Sequence, residues 1–217
     1  MLLVDVQEST CALTNTWNTN LGRYKADIAG GALKVYESRM IADLLLQNTT
    51  AEGWKNAIEI ENILQKTSIN TAKRQAALLK SRLQTLNHEA WQLVLDGSKP
   101  VATQVTFAAA LAHSNLLADF LDIAVRDRFR TSHRSLSRNN WETFVAGCHE
   151  RDAEMSYWSS STVSKLGDTV FQILSEVGLL SPGKATMLQP VPYERPVLDM
   201  LNRGGYDHVI RCMQVFY

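Results

Sequence analysis

The chain has no excess of either charge. Its 217 residues hold 22 Lys and Arg against 22 Asp and Glu. No global field therefore draws it to nucleic acid or to an anionic membrane, and any such attraction has to come from a local patch. Cysteine is scarce: Cys11, Cys148 and Cys212 are odd in number and far apart, which argues against a disulfide framework and fits a reducing cytoplasm. No apolar run reaches the ~18–20 uninterrupted residues that a bilayer span requires. The most apolar stretch, Val105 to Leu121, is broken by His113-Ser114-Asn115 and contains Asp119. Met1 to Val4 has no basic flank and runs straight into Asp5, so no secretory signal is expected. There is no P-loop, G-x-G-x-x-G, HExxH or G-x-S-x-G pattern, and the five histidines show no metal-ligand spacing with the cysteines. Cys148 and His149 are neighbours in sequence, and neighbours on a helix point about 100° apart, so they are not a made nucleophile–base pair. The expectation is a chain without catalytic residues, cofactor or metal, in the cytoplasm and off the membrane.

One further absence is local. From Asn62 to His88 there are five basic residues, Lys66, Lys73, Arg74, Lys80 and Arg82, and no carboxylate. Within this stretch Ala72, Ala76, Leu79, Leu83 and Leu86 recur at steps of four and three, the signature of one buried helix face. Thr67-Ser68-Ile69-Asn70 interrupts the preceding helical pattern. Helix, polar turn and basic helix together outline a helix-turn-helix. Lys73 and Lys80 lie one heptad apart and Arg74 lies nearly opposite the apolar stripe, so these three can meet phosphates with Asn70 and Ser81. Arg82, beside the stripe, is as suited to pairing inside the protein.

An apolar share of 45% is ordinary for a folded protein with a real core. Residues 1–20 read as a tail or arm. Helices are predicted over Ala32–Gln47, with Leu33, Tyr36, Met40 and Leu44 as the buried stripe, and over Ala51–Gln65, capped from Asn48-Thr49-Thr50 with Trp54, Ile58 and Ile63 inward. Glu37 falls on the apolar side of the first, either reaching solvent at the helix edge or buried and paired. Further helices are predicted over His88–Leu95, Val101–His113 (Ala-rich and central) and Asn115–Arg130, capped by Asn115. Arg126 to Arg138 is a second basic run, with five arginines; its part from Thr131 to Ser137 reads as an exposed loop and the domain boundary. A short helix at Asn140–Cys148 and a long one to Val177, stopped by Gly178, follow. Leu179-Leu180, the turn Ser181 to Lys184, the β-like Ala185–Gln189 and the Pro-rich Pro190–Pro196 give the plan of a winged helix, with Val197–Asn202 helical. The five tryptophans read as packing residues. The expected fold is thus mainly all-α: a helical bundle with helix-turn-helix-like elements over residues 21–135 and a winged-helix-like part with a short β-hairpin over 136–217.

The candidate nucleic-acid contacts are Lys73, Arg74 and Lys80 on the basic helix, Arg134 and Arg138 in the second run, Ser161 and Lys165 near the start of the long helix, and Lys184 in the wing. Arginine suits phosphate through its planar fork, and a helix N-terminus favours anions.

Several motifs in order resemble the BrxA family of bacterial BREX (bacteriophage exclusion) defence systems. They are Tyr24 to Leu33 (YKADIAGGAL), Glu37-Ser38-Arg39, Leu44-Leu45-Leu46, Thr71 to Arg74 with Arg82-Leu83, Asp119-Phe120-Leu121, Trp158 to Thr162 with Lys165-Leu166, and Glu176 to Leu180. The resemblance spans roughly Gly22 to Val197. It implies an all-helical protein likened to the antitermination factor NusB, with helix-turn-helix-like elements and a role in phage defence through binding duplex DNA beside other BREX subunits. It carries over no catalytic residue. RNA binding of the antitermination type and a protein-adaptor role are the alternatives, and the oligomeric state stays open.

Overall fold

The structure is a computed structural model and describes residues 23–131, 133–181 and 186–216. The tail 1–20, Cys11 and Lys184 lie outside them. The order is α1 (Val35–Leu46), α2 (Ala51–Lys55) running into a π-helical turn π1 (Asn56–Ile60), α3 (Ile69–Leu83), α4 (His88–Asp96) and α5 (Lys99–His113). Next come α6 (Asn115–Asp119), π2 (Phe120–Val125) and α7 (Arg126–Arg130) without a break, then α8 (Arg138–Arg151), α9 (Ser160–Val177), α10 (Arg195–Arg203) and α11 (Asp207–Met213).

Most starts are written in the local sequence. Thr50, Ser68, Asn87, Ser98 and Ser159 each accept a backbone N–H from the first turn of the helix they cap. Ser114, not Asn115, caps α6 by accepting from Leu117 N, while Asn115 donates to Arg23 O. Gly178 ends α9 at φ 87°, a left-handed conformation that costs glycine little.

α5 is central, as its composition predicts. It packs on α1, α3, α4, α6, α9, α10 and α11, and its Ala108, Ala109 and Ala110 are buried. Small side chains let neighbouring helices approach closely. One contiguous apolar cluster runs from Tyr24 to Val215 and joins Leu79 and Val105 to Trp141 and Val170. Among the described residues no single helix is long and apolar enough to cross a membrane; the apolar pair Lys99–His113 and Asn115–Arg130 is bent by 103°.

Three expectations are corrected. The buried face of α1 is Ser38, Ile41, Ala42 and Leu45, and Tyr36 is 62% exposed. The predicted stripe counted its phase from Leu33. Leu33 is buried, but it precedes the helix, beyond Lys34 at φ 52°, so the phase does not carry across. Second, the helix from Ala51 stops at Ile60, not Gln65. Asn62, at φ 49°, bonds both backbone groups of Lys66 and closes a turn there, while Ile69 and Asn70 are already helical. Third, the winged helix and its β-hairpin are absent among the described residues. Leu180 and Leu188 form one isolated bridge, and Ser135 and Met187 another. Residues 186–189 share their hydrogen bonds between two partners, Arg134 to Leu136 on one side and Leu179 to Ser181 on the other. Pro190 and Pro192 follow without N–H donors, so neither pairing extends into a strand. The last segment folds as α11.

Candidate nucleic-acid interface

α3 buries the stripe that its periodicity predicts: Ala72, Ala76, Leu79 and Leu83 are buried, as is Leu86 just beyond. Of the cations from Lys66 to Arg82, all but Arg74 have found partners. Lys66 Nζ lies 2.8 Å from Glu37 Oε1, which settles Glu37 as a largely buried, paired carboxylate. That pairing holds its carboxyl below the usual range despite its burial. Lys73 Nζ is 3.1 Å from Glu59 Oε1 on π1, and Lys80 Nζ stands 4.1 Å above the Trp54 ring on α2. Arg74 is exposed, and no ion pair engages it among the described residues. Asn70 and Ser81 are exposed as well.

Arg82 is an interior residue, 3% exposed. Its fork donates to Ala32 O at 2.8 Å and Gly31 O at 3.1 Å, while Nε has no partner. Burial brings its pKa down to about 10, against the pull of Asp27 and Glu176. It holds the strap 23–34, the segment that carries the YKADIAGGAL motif. The rest of the strap is held as firmly. Arg23 Nη2 and Tyr24 Oη both donate to Asp119 Oδ2 at 2.6 Å, Tyr24 N to Asp152 Oδ2 at 3.0 Å, Ser114 Oγ to Asp27 Oδ1 at 2.6 Å, and Leu33 N to Glu176 Oε2 at 2.9 Å.

The second basic run divides. Arg126 is tied to Asp122 and to the carbonyls of Arg211 and Gln214. Asp122 also takes both ends of the Arg211 guanidinium, and these cations hold its carboxyl below the ordinary range. Arg138 pairs with Asp168 at 2.6 Å and lies over the Phe171 ring at 4.5 Å. Arg128, Arg130 and Arg134 have no ion pair among the described residues; Arg130 and Arg134 are exposed and Arg128 half-buried. Arg134 also lies over Phe129 at 5.9 Å. At the start of α9, Ser161 Oγ hydrogen-bonds Ser159 Oγ at 2.9 Å and Lys165 is exposed. The structure thus leaves Arg74 and Lys165 open, gives Arg134 a ring contact but no ion pair, and engages Lys73, Lys80 and Arg138 at their surface. It adds Arg128 and Arg130, which the sequence signalled through a run with only Asp127 to balance it.

Cys148 accepts a hydrogen bond from Arg151 Nη2, and burial pushes its thiol up. His149 instead stacks on Tyr157 with ring centroids 4.5 Å apart. No group of His, Cys, Asp or Glu among the described residues could hold a metal ion.

Fold and surface together define an all-helical protein whose neutral body carries separate arginine- and lysine-lined patches. The BrxA family model matches residues 22–205, and the chain belongs to the BrxA family. It is 49% identical over 193 residues to "BREX protein BrxA" of Paramagnetospirillum magneticum, covering 89% of this chain and 97% of that one. It is 35% identical over 188 residues to "BREX protein BrxA" of Escherichia coli O9:H4, covering 87% and 88%. The crystal structure of an uncharacterized protein from Magnetospirillum magneticum superposes with a TM-score of 0.84 at 47% identity, covering 89% of this chain and 99% of that chain.

Proposed function

We propose that this chain is a non-enzymatic, cytoplasmic subunit of a BREX-type bacteriophage defence system that holds duplex DNA mainly through its phosphates. The observation that carries the reading is the set Arg128, Arg130 and Arg134 at the end of α7 and in the loop after it. Three arginines within seven residues keep their guanidinium groups clear of any carboxylate among the described residues. In a protein of zero net charge, that is where phosphate meets least competition. Arg74 on α3 and Lys165 on α9 are further exposed cations, with Lys73 and Lys80 available by exchange of partners. Other BREX subunits are the natural protein partners. A specific observation favours protein docking as the second reading: Tyr36, Ile60 and Ile69 are 62%, 73% and 55% exposed.

The experiment is fluorescence anisotropy with a short labelled duplex at several salt concentrations, with RNA and single strands as competitors. Wild type binds with strong salt dependence. Arg128→Ala/Arg130→Ala/Arg134→Ala weakens binding to every sequence alike and flattens the salt slope by about 2–3. No binding by wild type at low salt, or full binding by the folded triple variant, overturns the reading. Preferential loss to the RNA competitor would turn it to RNA.

A further inference from the structure

The 51–61 segment, AEGWKNAIEIE, contains Glu52, Glu59 and Glu61 and a single lysine. It folds as α2 and π1 and faces α3, the most basic helix of the chain. Two of its side chains meet two lysines one heptad apart on α3. Glu59 closes on Lys73 at 3.1 Å, and the Trp54 ring lies under the Lys80 ammonium at 4.1 Å. Neither lysine is lost to the interior: the Lys73 side chain is 52% exposed and Lys80 is half-buried, while the Glu59 side chain is 21% exposed. The arm is anchored at its π end by Ala57 and Ile58, whereas α2 itself buries no residue. The loop that follows is strained, with Asn62 at φ 49° and Gln65 at φ 51°, a conformation costly for residues other than glycine. Lys66 in that loop is clasped by Glu37.

We propose that the acidic arm Ala51–Ile60 is a built-in competitor for phosphate, occupying on Lys73 and Lys80 the places that a nucleic-acid backbone would take. The inference rests on the DNA-binding reading and adds a threshold to it. A phosphate that takes Lys73 leaves the Glu59 carboxylate unpaired beside a polyanion, and like charges brought together disfavour the complex. Weak, non-specific duplex contacts are thereby suppressed, and only a ligand that gains enough elsewhere, at the arginines of α7, engages α3. The exchange needs movement of side chains alone, since the cations stay in place and change partner.

The test is duplex anisotropy across a salt series for the full chain as wild type, Glu59→Gln, Lys73→Gln, the double variant, and Glu52→Gln. The last is an exposed acid on the same arm and controls for net charge. Competition predicts that Glu59→Gln tightens binding by about three- to fivefold and steepens the salt slope by about 1, beyond any gain from Glu52→Gln. It also predicts that the gain vanishes in the Lys73→Gln background. If wild type binds and Lys73→Gln weakens binding while Glu59→Gln matches Glu52→Gln or weakens it, the competitor is overturned and α3 remains an interface. If wild type binds and Lys73→Gln changes nothing, the competitor and the role of α3 both fall, while the arginine patch stands. If no variant binds at low salt, DNA binding itself is refuted and the competitor with it.

Discussion

Replacing Arg82 with methionine removes a buried cation that holds the strap 23–34 from inside. Two charge-assisted hydrogen bonds go, to Ala32 O and Gly31 O. Each is worth about 1.5–3 kcal/mol, so the gross loss is about 3–6 kcal/mol. Part of it returns. Arg82 is 3% exposed and its Nε has no partner, so the native state bears a desolvation cost that methionine avoids. Set against this, Asp27 loses a guanidinium that favours its charged form. The net expectation is a destabilisation of about 2–4 kcal/mol, a large share of the ~5–15 kcal/mol that holds a typical domain together. Urea denaturation at neutral pH measures it as a lower midpoint with an unchanged slope. Hydrogen exchange at the Leu33 amide, which donates to Glu176, reports whether the strap loosens first. Arg82→Lys recovers less than half of the loss, because one ammonium cannot span two carbonyls as the planar fork does. A loss below ~1 kcal/mol for Arg82→Met would refute the reasoning and show that a buried hydrophobe serves this site as well as the charge.

Tyr24→Phe tests the strap's other anchor. Tyr24 Oη donates to buried Asp119 and its pKa is pushed up to about 12, chiefly by burial and then by that carboxylate. A raised folded-state pKa means stability that is fully present below pH 10 and lost as pH rises toward 12. Wild type should therefore fall by about 2–3 kcal/mol more than Tyr24→Phe across that window. Parallel alkaline unfolding curves would contradict it. Gly167→Ala inverts the usual helix rule. Alanine is favoured over glycine in a helix by about 1 kcal/mol, yet a Cβ here would lie 2.7 Å from Trp141 Cδ1, on a ring that is 1% exposed and fixed by its bond to Val163 O. The variant should lose about 1–3 kcal/mol in thermal unfolding with altered tryptophan emission, and a gain in stability would sink the packing argument.

The features readable from the sequence alone are those decided within a few residues of themselves. Thr50 caps α2, as the turn Asn48-Thr49-Thr50 implies, because a short polar side chain reaches its own first turn. The α3 stripe is buried because a 3.6-residue period needs no knowledge of what covers it. Gly178 stops α9 because only its own φ is at stake. The all-helical class and the family resemblance follow from such local signals in order. The sequence misleads where a local signal meets a distant partner. The absence of acids from Asn62 to His88 looked like a free basic face, but Glu37 and Glu59 come from other elements and neutralise Lys66 and Lys73 in space. The Leu33 phase failed because a left-handed Lys34, in a strap held by Arg82 and Glu176, separates it from α1. The wing failed because residues 186–189 bond to Arg134 and Leu136, some 50 residues earlier, as well as to their own neighbours. Which surface cations stay unpaired is a property of the whole packed chain, since a carboxylate can reach a lysine from any element that folding brings near. Only the tertiary structure decided that: it pairs Lys66 with Glu37 and Lys73 with Glu59, and leaves Arg128, Arg130 and Arg134 without an ion pair among the described residues.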